Sequence, residues 1–259
     1  MTNEAYIGDS TLVALGLYLV RSSALVVASP TFTRLGFASF KIALIVVLAG
    51  VMYSIGDVQQ VEVANGGRFA LLALREAMIG LSMAFLVQVA LLAARIGGEL
   101  VGLEMGIQMG AQVDPVTGVS TPLVARYFEE VMLVGLFAMN GHHWLVRALA
   151  ESYERAPIGH LTFANGMVDL LLSFFHEMFA AGIAFIAPIL VLMALVSLVV
   201  GLLARTVPQI NVLELSFTLR IGVALVGLLF FAPALEVLAG TVMTALDEWL
   251  RAFLDLLEA

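Results

Sequence analysis

The sequence contains no cysteine and a single lysine, Lys41. The first absence removes disulfides, thiolate metal ligands and haem attachment. The second, with no basic run anywhere, leaves nothing to hold nucleic-acid phosphates or to grip anionic lipid headgroups. The balance is acidic, with 20 aspartates and glutamates against 12 lysines and arginines and a net charge of −8. Histidine is scarcer still, with 4 in the chain. His142 and His143 are neighbours, so on a helix their rings diverge by about 100° and serve one ion poorly. His176-Glu177 begins a zinc-helix pattern, but Ala180 stands where the second histidine belongs, and His160 stands alone. No nucleophile elbow, phosphate-binding loop or dinucleotide fingerprint is present. Neither catalysis, nor a metal, nor a cofactor is expected.

Charge of either sign is rare, at 12% of residues, while 61% are hydrophobic. A soluble domain carries about a quarter charged residues and about half apolar ones. The surplus apolar surface exceeds what a chain of 259 residues hides in a core, so lipid or partner subunits must cover it. Apolar runs near the bilayer-spanning length of about 17 to 25 residues fall in six regions. These are Leu12–Ala28, Ile42–Ile55, Leu71–Ala94, Val131–Ala150, Met178–Ala204 and Ile221–Leu246. They lack the two-residue polar alternation of a membrane β-barrel. The expected fold class is therefore all-α, a multi-helix membrane-associated protein. Pro188 and Pro233 lie inside the last two regions and should kink them. The first ten residues carry Glu4 and Asp9 but no basic side chain, so a cleavable signal peptide is not expected. With six spans, one side would hold Arg34, Lys41, Arg95, Arg126, Arg205 and Arg220. The other would hold Arg68, Arg147, Arg155 and Arg251, a bias too small to set orientation. No repeat or low-complexity tract divides the chain, and residues 1–259 read as a single domain.

The most informative stretch is Gly98 to Pro115, GELVGLEMGIQMGAQVDP. Gly98, Gly102, Gly106 and Gly110 recur every fourth residue, which on a helix makes one slowly winding ridge. Each glycine costs about 1 kcal/mol against alanine in a helix interior. Four in phase need compensation, and close approach by another helix supplies it. That helix belongs either to the same chain or to another subunit. Met105 and Met109 lie beside the ridge; unbranched and adaptable, they serve as core filler or as a pliable seal. The stretch then breaks, with turn signals at Asp114-Pro115, Gly118 and Pro122. The segment of Gln112, Val113, Asp114, Pro115, Val116, Thr117 and Gly118 fits a watery surface or a cavity that it plugs. Irregular backbone is tolerated at membrane depth only where protein or a water-filled passage surrounds it.

Arg21 falls inside the first region, where an arginine costs about 2.5 to 3.5 kcal/mol to insert and needs a partner. Arg75-Glu76 opens the third region and makes Glu76 the candidate. Structural pairing fits better than a proton or ion pathway, because no chain of acids or histidines follows at helical spacing. The prolines and Arg21 would also suit a small-molecule or ion secondary transporter, but no paired half-repeats with matching breaks support one.

Taken in order, these pieces resemble the FliR/SctT family, the export-gate proteins of bacterial type III secretion, and within it the flagellar FliR branch. The likeness is carried by YLVRSSALVVASP, REAMIGLSMAF, GLEMGIQMGAQVDP, NGHHWLVRAL followed by APIG, and RTVPQINVLELSFTLRIGVAL, whose core holds Pro208, Gln209 and Asn211. Relatives often carry glutamine where this chain has Glu99 and Glu104. The resemblance implies a non-enzymatic subunit that threads unfolded flagellar proteins across the bacterial inner membrane at the flagellar basal body. It implies a hetero-oligomer with FliP-like and FliQ-like subunits, alongside FlhA-like and FlhB-like proteins, and no nucleic acid. Its helices would pack largely against those subunits. The Gly98–Gly110 helix would lie near the passage, Gln112–Pro122 would plug it, and Met105 and Met109 would seal around a passing chain.

Overall fold

The computed structural model describes residues 10–33, 37–56, 66–106, 123–161, 165–206 and 211–258. Among them the regular elements are all helices: α1 (Ser10–Ala28), α2 (Pro30–Thr33), α3 (Ala38–Ile55), α4 (Gly66–Met105), α5 (Leu123–Ala138), α6 (Gly141–Arg155), α7 (Met167–Thr206) and α8 (Val212–Glu258). Five of the described helices, α1, α3, α4, α7 and α8, are long and apolar enough to cross a membrane.

The helices outrun the apolar stretches that mark them. Both α4 and α7 have 40 residues, and α8 has 47. Arg95, Glu177 and Asp247 end apolar runs but not helices, because a charged side chain leaves the backbone ladder intact. At 1.5 Å per residue, forty residues reach about 60 Å, twice the hydrocarbon thickness of a bilayer. Pro188 and Pro233 sit inside α7 and α8, which continue past them.

The fourth apolar region, expected as one span over Val131–Ala150, is instead two helices. Asn140 between them adopts φ 59° and ψ 28°. Asparagine tolerates this left-handed backbone better than most residues, and a single such residue interrupts the helical ladder. The resulting α5 and α6 have 16 and 15 residues, too few for a span. Helix α6 is amphipathic: it buries Leu145, Leu149, Ser152 and Tyr153 and exposes Arg147 and Glu154.

The chain forms two compact units. The first comprises Met1–Val89, Asn140–Phe175 and Thr244–Ala259. Its buried residues include Leu17, Leu25, Leu72, Leu86, Phe174 and Phe253, and α1 packs there on α2 and α3. The second comprises Ala90–Met139 and His176–Met243, with Leu91, Val101, Phe128, Met132, Ile186 and Met193 buried. Large apolar faces stay uncovered: Leu229 and Phe230 on α8 are 75% and 78% exposed, and Ile42 on α3 is 63% exposed. Contiguous apolar surface of this kind marks contact with lipid or with other proteins.

Candidate functional site

In the first unit, Gly80 lets α4 close on α1. A Cβ there would lie 2.5 Å from the Arg21 carbonyl oxygen and 2.8 Å from the Ala24 Cβ. Glu76 sits one turn earlier on the same face of α4. Its carboxylate accepts hydrogen bonds from Arg21 Nε at 2.6 Å and from Arg75 Nη1 at 2.9 Å. Arg21 Nη1 donates to the Ser152 carbonyl at 2.7 Å and to Ser152 Oγ at 3.1 Å. Arg21 Nη2 donates to the Ala156 carbonyl at 2.9 Å and lies 2.5 Å from Glu76 Oε2. Each of the five N–H groups of a guanidinium thus has an acceptor. Arg75 Nη1 also donates to the Pro157 carbonyl at 3.2 Å.

Both Arg21 and Glu76 side chains are fully buried. The Arg21 guanidinium lies 4.2 Å over the Tyr153 ring, whose hydroxyl donates to the Tyr18 carbonyl at 3.1 Å. Burial pushes the Tyr153 phenol up to about 12. Two cations therefore share one anion, and the other Arg21 donors meet backbone carbonyls and the Ser152 hydroxyl at the end of α6. The arrangement joins α1, α4 and α6, and among the described residues it leads on to no relay of acids or histidines.

In the second unit, Gly98 brings α4 against α5. A Cβ there would lie 2.5 Å from Ala125 Cα and 2.7 Å from the Val124 carbonyl oxygen, both rigid backbone. Gly102 and Met105 are buried. The helix then stops: Gly106 has φ 74°, and its N–H donates to the Leu103 carbonyl at 3.0 Å. A glycine in the left-handed region is a common helix terminator, free of the Cβ clash that other residues meet there. The helical part of the four-glycine series thus ends before Gly106, where a continuous helix through Gly110 had been expected. Gly110, Met109, Gln112, Val113, Asp114, Pro115, Val116, Thr117 and Gly118 lie outside the described residues, as do Pro208 and Gln209. Asn211 precedes α8; its carbonyl accepts the Leu215 N–H at 3.1 Å, and its side chain donates to Glu214 Oε2 at 3.2 Å.

Arg220 is a contact that sequence reasoning missed. Its Nη1 donates to the Glu104 carbonyl at 3.1 Å, and Nη2 donates to Ser197 Oγ at 2.9 Å. The Glu104 carboxylate is farther, at 3.5 Å. Arg220 stands one residue before an apolar run and was counted among loop charges, although it lies within α8. Glu99 pairs with Arg95 one turn away at 3.0 Å, on a surface both share with solvent.

A sequence profile described as bacterial export proteins, family 1, matches residues 12–246. The chain belongs to this family. It is 31% identical over 185 residues to the flagellar biosynthetic protein FliR of Escherichia coli (strain K12), covering 70% of this chain and 71% of that protein. To the flagellar biosynthetic protein FliR of Bacillus subtilis (strain 168) it is 28% identical over 252 residues, covering 93% and 94%. To the surface presentation of antigens protein SpaR of Salmonella typhimurium (strain LT2) it is 26% identical over 166 residues, covering 63% and 62%. The buried arginine cluster, the Gly98 contact and Arg220 all fall inside the matched span. This family member is a membrane-embedded component of a bacterial export apparatus.

Proposed function

We propose that this chain is a non-enzymatic subunit of the flagellar type III export gate, helping to form and close the channel that threads unfolded flagellar proteins across the bacterial inner membrane. The observation that carries the reading is the family match over residues 12–246, joined to flagellar relatives that cover most of the chain. The uncovered apolar faces of α3 and α8 support assembly with other membrane proteins. The partners are FliP-like and FliQ-like subunits in a hetero-oligomer, with FlhA-like and FlhB-like proteins beside it in the flagellar basal body. Residues 1–259 act as one export-gate domain. The family match speaks against a small-molecule or ion transporter.

Within this gate, residues 112–122 close the passage, and Met105 and Met109 help seal it. Support comes from the polar, turn-rich sequence that follows the glycine series and from the abrupt end of α4 at Met105. Co-expression tests the reading. With FliP-like and FliQ-like subunits the chain is recovered in a large mixed complex, and its deletion in a flagellated host abolishes export and swimming. Recovery as a solute-binding monomer, with export intact in the deletion strain, would overturn it.

A further inference from the structure

We propose that a cavity between α6 and the end of α8 binds a phospholipid headgroup of the phosphoethanolamine type, with Arg147 taking the phosphate and Glu151 the ammonium. The site requires the chain to lie in a membrane, but it is independent of any closing role.

The cavity lies wholly within the first unit and has a volume of about 510 Å³. Small-molecule sites run from roughly 300 to 1,000 Å³. One wall is a single face of α6, with Trp144, Arg147, Glu151 and Arg155 at helical spacing. The other is a face of α8 with Asp247, Arg251 and Asp255. Between these charges the lining is apolar, from the buried Ala148, Leu250 and Leu254.

Most of the charges are already matched. Arg155 pairs with Asp255, and Arg251 Nε donates to Asp247 Oδ2 at 3.0 Å. Arg147 and Glu151 are different. Neither makes a hydrogen bond or an ion pair among the described residues, and Glu151 acts on Arg155 only through space. They stand four residues apart, so a free cation and a free anion adjoin on one helix face. A phosphate alone would satisfy the first and leave the second, and an amine alone would do the reverse. Phosphoethanolamine carries both on a short linker. The guanidinium offers paired N–H donors to its phosphate oxygens, and the carboxylate accepts from its primary ammonium.

Position in the chain selects a lipid over a dissolved zwitterion. The last apolar run of α8 is Ile221–Leu246, and the lining begins at the next residue, Asp247. A membrane helix meets the headgroups where its apolar run ends. Tryptophan is enriched at that depth, and Trp144 stands half-buried in the wall.

The full chain in detergent is titrated with phosphatidylethanolamine, phosphatidylcholine and phosphatidylglycerol of identical acyl chains, and bound lipid is counted by native mass measurement. The natural chain should bind phosphatidylethanolamine about tenfold more tightly than the other two, the size of one charge-assisted hydrogen bond. Phosphatidylcholine offers no ammonium N–H, and phosphatidylglycerol has no cation. Arg147→Gln should weaken phosphatidylethanolamine binding about tenfold, and Arg147→Lys should retain most of it. Glu151→Gln should erase the preference over phosphatidylcholine. If a variant does not fold, the preference of the natural chain still decides. Equal binding of the three lipids, or unchanged binding in both glutamine variants, overturns the site. Free phosphoethanolamine that binds as tightly as the lipid overturns the lipid assignment. Weaker assembly with FliP-like and FliQ-like subunits in Arg147→Gln, with lipid binding unchanged, assigns the cavity to a protein partner and also overturns it.

Discussion

Arg21 and Glu76 meet at 2.6 Å in a setting from which water is excluded, and Arg75 shares the same carboxylate. A buried pair of this kind contributes little beyond a well-packed apolar substitute, but removing one partner leaves an uncompensated charge. Here the three members are unequal. Glu76 balances two cations, whereas Arg75, itself buried, also donates to the Pro157 carbonyl.

Glu76→Ala should therefore cost about 3 to 5 kcal/mol and exceed the loss from Arg75→Ala. A double change of Arg21 and Glu76 to methionine should be less harmful than Glu76→Ala alone. Thermal midpoints of the assembled complex, compared across the set, check this order. Equal losses for Glu76→Ala and Arg75→Ala would show that the carboxylate does not bear both charges.

Gly98 and Gly222 make a matched pair. A methyl group at Gly98 would press on the backbone of α5, whereas at Gly222 the chain offers open space within 4 Å. Gly98→Ala should destabilise by about 1 to 3 kcal/mol, the usual cost of overpacking. Gly222→Ala should leave the fold as stable or raise it by up to about 1 kcal/mol through helix propensity. Denaturation midpoints of the two variants decide the matter, and a harmless Gly98→Ala would contradict the close approach of α4 and α5.

Alkaline pH probes the cluster through Tyr153, which lies in α6, outside the membrane-spanning helices. Burial raises its folded-state value to about 12 from an ordinary value near 10. The neutral phenol is thus favoured in the fold. Its stabilising share is complete below pH 10 and disappears as pH climbs through 12. That share is on the order of 2 kcal/mol. Tyr153→Phe should flatten the fall in thermal midpoint between pH 10 and 12 while costing some stability at neutral pH through the lost bond to Tyr18. An unaltered alkaline slope would assign the fall to other groups.

Composition carried the fold class, because 61% hydrophobic residues with 12% charge admit few arrangements other than long membrane helices. Helix ends were less legible. Apolar run length stops at a charge, whereas the backbone continues, so α4, α7 and α8 were read as much shorter than they are. Asn140 was visible as a polar residue in an apolar region, but not as a left-handed break. The cost of burying Arg21 announced that a partner was needed. Gly80, which brings α4 near enough to supply it, gave no such signal, since a glycine implies close approach without naming the neighbour. Arg220 escaped notice because its acceptor on Glu104 is 116 residues away. No local pattern encodes a contact of that range.

The central claim is that this chain hides its apolar flanks against other subunits of an export gate. Native mass measurement of the chain purified after co-expression with FliP-like and FliQ-like subunits tests this most directly. The expected result is a heavy mixed complex containing this chain together with several copies of the others. A monomer or small homo-oligomer, stable in detergent with the other subunits left behind, would contradict it.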